Sequence, residues 1–205
     1  MNYLEPIDKA LRIESERLLL RPLTEEDTDV VLKLRNSDYV RDNFFYRHII
    51  TPEEHLKYFR EKCETGAVHY FIVEEKETGD VIGVVYLQHY DDVEKTMESG
   101  IFLSKSAPKG KGYATECYGT LVWYGFTKLN LKKQFCRVIA DNKASLRMNE
   151  KLGYEEVDRG LEKIIPSGEM VEAVTLEVSK ETFFKKHNFG PDKHLPDFYV
   201  RMYEL

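Results

Sequence analysis

The stretch Lys109-Gly110-Lys111-Gly112-Tyr113-Ala114-Thr115-Glu116 decides how this chain is read. It follows the segment Glu98–Ser104 and opens the helical pattern of Ala114–Leu129, so it joins a strand to a helix. Glycines at 110 and 112 let the backbone turn tightly and aim successive N–H groups at one point. Those amides open the following helix, where the macrodipole favours an anion. Lys109 and Lys111 add positive charge at the same place. The chemistry is that of a diphosphate cradle. In isolation, a charged turn capping a helix has the same composition. The run also fits neither G-x-x-x-x-G-K-[ST] nor G-x-G-x-x-G, so its neighbours must decide.

Downstream, Ala114, Tyr118, Leu121, Gly125 and Leu129 recur at helical spacing. Lys133–Ala140 reads as a strand, Lys143–Leu152 as a helix closed by Gly153, and Tyr154–Val157 and Val171–Val178 as strands. Upstream, Arg17–Pro22 reads as the first strand. Thr24-Glu-Glu-Asp starts a helix with Asp27 at the acidic third position, carried by Val30, Val31 and Leu34 to Arg35. Thr51-Pro52-Glu53-Glu54 starts a second, with Leu56, Phe59 and Cys63 as its stripe. Strands Val68–Val73 and Val81–Leu87 follow, joined by a turn at Gly79-Asp80. The order predicts an α/β fold with a mixed sheet, its early strands antiparallel and its Ala114–Leu129 crossover forcing one parallel pair.

Composition bounds the function. The 205 residues carry 30 Lys+Arg against 36 Asp+Glu, a formal charge of −6, with 42% hydrophobic and 32% charged residues. The longest uncharged run, Cys117–Thr127, is 11 residues, against the roughly 20 of a membrane span. Glu5 and Asp8 stand where a signal peptide needs a basic and then an apolar run. Cys63, Cys117 and Cys136 are too few and too scattered for a disulfide framework. An acidic balance disfavours nucleic acid, whose phosphates need a basic face. The expectation is a soluble cytoplasmic protein with no membrane or nucleic-acid partner.

About thirty residues past the cradle comes Asp141-Asn142-Lys143-Ala144-Ser145-Leu146-Arg147-Met148-Asn149-Glu150-Lys151-Leu152-Gly153-Tyr154. Here a short helix follows a strand directly, with Asn142 as its cap and Ser145 one turn in. Both sit at a strand's carboxyl end, where α/β sheets bind ligands.

The pair KGKGYATE and NKASLRMNEKLGY resembles the acyl-CoA-binding motifs of the GNAT superfamily of N-acetyltransferases. With SERLLLRPLTEED at its start and ESGIFLS before the loop, the chain is similar to the RimJ/RimL-like branch. That branch contains ribosomal-protein N-terminal, spermidine and amino-sugar acetyltransferases. The resemblance implies a mostly antiparallel sheet splayed between Ser104 and the strand Lys133–Ala140, with acetyl-CoA in the opening. Amides of Lys109, Gly110, Lys111, Gly112, Tyr113 and Ala114 would hold its pyrophosphate. The backbone of Ile101, Phe102 and Leu103 would pair with the pantetheine arm, and Asn142 would contact that arm. Three departures stand out. Lys109 replaces the usual Arg or Gln, the Leu103–Lys109 connection is one residue longer, and Asn149 stands where many members carry a tyrosine acid.

Amine acetylation must first remove a proton. An aliphatic amine of pKa about 10.4 costs roughly 4–5 kcal/mol to neutralise at pH 7. Glu98, at a position commonly acidic in this branch, is the expected general base, directly or through water. Ser145 is the expected acid for the CoA thiolate. The loop Asn43–His48, with Phe45 and Tyr46, and the segment His89–Asp92, with His89 and Asp91, are expected to form the acceptor site. Aromatics beside carboxylates suit a small cationic amine.

Two other functions share these motifs. A protein N-terminal acetyltransferase would show an open groove for a peptide, and a non-catalytic acyl-CoA-binding module would keep the cradle alone. No metal site is expected, and a monomer or homodimer is. The organisation predicted is a leader, 1–13, a GNAT domain, 14–178, and an aromatic-rich extension, 179–205, packing on the core or a second subunit.

Overall fold

The computed structural model describes residues 3–187 and 201–204. Among these, nine strands form one sheet. In chain order the strands are β1 (Leu11–Glu14), β2 (Leu18–Pro22), β3 (His69–Glu75), β4 (Val81–Asp91), β5 (Thr96–Leu103), β6 (Lys133–Ile139), β7 (Glu155–Lys163), β8 (Met170–Ser179) and β9 (Arg201–Glu204). The helices are α1 (Thr28–Arg35), α2 (Asp38–Arg41), α3 (Pro52–Tyr58), α4 (Tyr113–Thr127), α5 (Lys143–Lys151) and α6 (Lys180–Lys186). Across the sheet the order is β7-β8-β6-β5-β4-β3-β2-β1-β9. Every pairing is antiparallel except β5 with β6, which α4 joins. This is the mixed, mostly antiparallel sheet that the element order predicts.

Local chemistry explains the helix starts. Thr51 Oγ1 accepts from Glu54 N while Glu54 Oε2 accepts from Thr51 N, with Pro52 at the first helical position. Asp27 accepts from Thr24 N, and Arg21 grips it with both terminal nitrogens at 2.7 and 2.8 Å. Helix α4 is apolar on nearly all sides because it is enclosed, with Cys117, Leu121, Val122 and Phe126 at 0% exposure. One neighbour is α6, whose Phe183 is fully buried 5.6 Å from the Phe126 ring.

Several elements differ from the sequence reading. Strand β1 lies in the segment read as a leader, and β9 pairs with it at the sheet edge. Strand β7 runs six residues past Val157. Its charge-rich sequence hides it, because it is a sheet-edge strand exposed along nearly all its length. The first helix opens with a 3-10 turn, Glu25–Asp27, and the second ends in a π turn, Phe59–Cys63. Of the extension's aromatics, Phe189, Phe198 and Tyr199 lie outside the described residues, as do those parts of the 179–205 expectation.

Strands β5 and β6 stay paired for three residues only, Thr96–Glu98 against Lys133–Phe135. Beyond that the β5 ladder continues only with β4, and that of β6 only with β8. The sheet therefore opens into a V with Glu98 at its vertex.

Candidate active site

The V leads into a cleft of about 660 Å³. Ser99 fixes where it opens. Its Oγ donates to the Phe135 carbonyl at 3.1 Å, tying β5 to β6 where the ladder ends. The hydroxyls of Tyr118 on α4 and Tyr154 each lie 2.8 Å from the same oxygen. Burial raises both phenol pKa values, so both remain protonated donors. None of the three stood out in the sequence, because their partners are brought together only by the fold.

The cleft is walled on one side by Gly100, Ile101, Phe102 and Leu103 of β5, on the other by Cys136 and Val138 of β6. This free β5 edge can accept an extended ligand as an added strand. Asn142 and Ser145 line the same cleft. Asn142 Oδ1 caps α5 by accepting from Ser145 N at 3.1 Å. Asn149 is buried, taking the Cys136 thiol hydrogen on its Oδ1 at 3.2 Å and donating to the Ser145 carbonyl at 2.9 Å. Burial pushes the Cys136 thiol up to about 12, so it stays protonated.

Ala114 reaches the cleft, while Lys109, Gly110, Lys111 and Gly112 are exposed at the start of α4. Gly110 has φ +71° and Gly112 φ +83°, both left-handed, which a side chain adopts at a cost. A Cβ at Gly110 would meet nothing within 4 Å, so the backbone there is open to a ligand. Among the described residues, no backbone carbonyl takes the amide hydrogens of Gly110, Lys111 or Gly112. The loop is braced from below. Arg17 Nη1 donates to the Lys111 carbonyl at 2.8 Å, and the Arg17 guanidinium lies 4.2 Å from the Tyr113 ring centre. Lys109 Nζ sits 4.9 Å from the ring centre of Tyr39. A turn with left-handed glycines, free amides and two lysines fits a diphosphate, and the open β5 edge fits a pantetheine arm.

Glu98 is 6% exposed and both its carboxylate oxygens have partners. Oε1 accepts from Arg137 Nε at 3.0 Å, and Oε2 from Gln88 Nε2 at 3.0 Å. His89 Nδ1 lies 2.7 Å from Oε2 while most of its ring faces solvent. His89 reaches this position through a left-handed φ of +56°, in the irregular stretch of β4 between Gln88 and Asp91. Glu98 lines the cleft, whereas His89 and Asp91 lie outside its lining. Asp91 Oδ1 instead accepts from Val93 N and Glu94 N, both at 2.9 Å, and so organises the β4–β5 turn.

Phe45 and Tyr46 do line the cleft, and their loop is tied to the β7–β8 turn. Ile165 N donates to the Phe45 carbonyl at 2.7 Å, and Arg47 N donates to the Ile165 carbonyl at 2.6 Å. The β7–β8 turn thus holds the α2–α3 loop in place. Arg35, Tyr70 and Tyr86 complete this end of the cleft. Gly100 is small because Tyr86 lies over it, its ring 2.2 Å from where a Cβ would stand. Sequence reading passed over these three, since an arginine on an amphipathic helix and tyrosines in strands carry no signal of a shared pocket.

Comparison with known proteins adds three findings. Residues 17–155 match the family described as "Acetyltransferase (GNAT) domain". The N-acetyltransferase p20 of Bacillus licheniformis is 29% identical over 150 residues, covering 69% of this chain and 81% of that one. The spermidine N(1)-acetyltransferase of Escherichia coli K12 is 26% identical over 168 residues, 82% and 89% of the two chains. Among solved structures, spermidine N-acetyltransferase from Vibrio cholerae in complex with CoA and spermine superposes with a TM-score of 0.76 at 22% identity. That match covers 82% of this chain and 98% of the other.

Proposed function

The chain belongs to the GNAT acetyltransferase family, and from that premise we propose that it acetylates a small cationic amine held between Glu98 and the aromatic loop Phe44–Tyr46. It is an N-acetyltransferase that uses acetyl-CoA. The loop that lines the acceptor end is tied through Phe45 and Arg47 to Ile165, and this fixed loop supports the small-acceptor reading over a groove for a peptide. The relatives named as spermidine acetyltransferases act on a small amine, in accord with that reading. The RimJ/RimL-like branch, a cytoplasmic location and a monomeric or homodimeric state belong to the same proposal.

When bound, acetyl-CoA supplies an acetyl group activated as a thioester. The amides of Lys109 to Ala114 would bind its pyrophosphate, and Ile101 to Leu103 with Asn142 its pantetheine arm. Glu98 takes a proton from the ammonium, directly or through water, offsetting part of the roughly 4–5 kcal/mol of deprotonation at pH 7. His89, 2.7 Å away and facing solvent, is the outlet. With Nδ1 bare it accepts that proton, and the imidazolium releases one from Nε2 to water. An amide N–H on the open β5 edge receives the negative charge that develops on the carbonyl oxygen. Ser145, beside the buried Asn149, gives a proton to the departing sulfur.

Thiol release from acetyl-CoA with a panel of small amines and N-terminal peptides tests this. Turnover with amines and not with peptides is expected. Peptide turnover would favour the protein N-terminal acetyltransferase. Tight CoA binding with no turnover on any acceptor would make the chain an acyl-CoA-binding module.

A further inference from the structure

Resting on the acetyltransferase reading above, we propose that the acceptor carries an anionic group, a carboxylate in the first instance, which Arg35 receives while the amine faces Glu98. Arg35 is a charged group in the cleft wall and is 7% exposed. One terminal nitrogen donates to the Tyr46 carbonyl, and the guanidinium lies 4.0 Å from the Phe44 ring centre. The other terminal nitrogen, Nη1, is buried and has no hydrogen-bond partner. A buried donor of a charged group left unmatched is costly and calls for a reason, which a bound anion would supply.

Among the described residues no carboxylate is paired with Arg35, although Glu54 and Glu98 line the same cleft. The groups acting on Arg35 most strongly, besides its burial, are the hydroxyls of Tyr86, Tyr70 and Tyr46 and the like charge of Arg41. Tyr70 and Tyr86 stack across the β3–β4 pair with ring centres 5.5 Å apart, and burial keeps both phenols protonated. Arg35, Tyr46, Tyr70 and Tyr86 all line this end of the cleft, and each can donate a hydrogen bond to an oxyanion. Glu98, the carboxylate at the other end of the pocket, already accepts from Arg137 and Gln88, with His89 Nδ1 beside it. An amine with a carboxylate at its far end meets opposite charge at both ends. A polyamine sets a second ammonium against Arg35.

The test is thiol release from acetyl-CoA with matched acceptors: ω-amino carboxylates of three to six carbons, the corresponding ω-amino amides, the plain alkylamines, and spermidine. In the wild type the best carboxylate should exceed its amide in kcat/KM by at least about tenfold, a modest value for a charge-assisted bond. Arg35→Gln should reduce that ratio to about one, and Arg35→Lys should retain part of it. The wild-type comparison decides even if Arg35→Gln fails to fold. Amides or alkylamines as good as the carboxylates, or spermidine as the best acceptor, would overturn the proposal and leave the acetyltransferase reading intact. Absence of thiol release with every amine would instead sink the acetyltransferase reading. Calorimetric titration of the same carboxylate and amide pairs into the CoA-loaded protein would then still decide on Arg35, equal affinities overturning it.

Discussion

Glu116, 3% exposed, is held by Arg17 through three contacts, from the backbone N at 2.8 Å, Nε at 2.7 Å and Nη2 at 2.6 Å. Ser15 Oγ adds a fourth at 2.6 Å. With its remaining nitrogen on the Lys111 carbonyl, Arg17 carries the rigidity of the β1–β2 turn into the glycine loop. Arg17→Gln leaves a buried carboxylate short of its partner and the loop unbraced, costing about 2–4 kcal/mol of stability. The KM for acetyl-CoA should rise at least fivefold, while that for acetyl-pantetheine, which lacks the diphosphate, stays within twofold. Equal effects on both donors would show that the brace serves the fold alone.

Gly112 caps α4 at φ +83°, and its Cβ position lies 3.6 Å from Arg17 Nη2. Gly112→Val forces a branched residue into left-handed backbone at a cost of about 1–3 kcal/mol and covers the amides proposed to hold the pyrophosphate. Calorimetry should find acetyl-CoA affinity reduced more than tenfold. Undiminished affinity in a folded variant would remove the cradle assignment.

Glu98→Gln keeps the shape and removes the proposed base. The expected loss is about 100-fold in kcat, within the usual range for general base catalysis, with KM for acetyl-CoA unchanged within about twofold. A loss confined to acceptor KM would assign Glu98 to binding.

His89→Ala removes the outlet and leaves Glu98 in place. A loss in kcat of about tenfold should be restored by added imidazole, which can enter because the native ring is largely exposed. Failure of rescue, with the loss present, would make His89 a support for the β4 bend only.

His69 should set the acid limb of stability. It is 2% exposed, with Nε2 3.1 Å from the Glu5 carbonyl and Nδ1 2.9 Å from the Tyr124 hydroxyl. That pattern suits a neutral ring donating from Nε2 and accepting at Nδ1. Burial lowers its pKa to about 4 from 6.5. The unfolded chain therefore binds a proton that the folded one refuses between pH 6.5 and 4, so stability falls as pH drops through that window. The integrated loss is about 3 kcal/mol. Denaturant titrations at pH 7 and pH 4.5 should show the decline, and His69→Gln should flatten it.

The glycine turn before α4 and the capped start of α5 were legible because both rest on local backbone rules. Gly110 and Gly112 announce left-handed turns, and Asn142 announces a helix cap, wherever they occur. The parallel pair of β5 and β6 followed from the length of the α4 crossover. Strand β7 was cut short in the reading because an exposed edge strand does not alternate. Strands β1 and β9 were missed because short segments gain their stability from a partner far away in sequence.

What the sequence by itself determined is the order of elements, one mixed sheet with a single crossover, and a tight turn of two left-handed glycines at the head of α4. Those follow from period, capping and glycine, which act over a few residues. Only the tertiary structure decided what occupies the other end of the cleft. It set Arg35 of α1 beside tyrosines from β3 and β4, joined Glu98 to both Arg137 and His89, and strapped Phe45 to Ile165. Charge and hydrogen bonding act across space between segments distant in the chain, so which groups meet, and which stay unpaired, is fixed only when the sheet has closed around them.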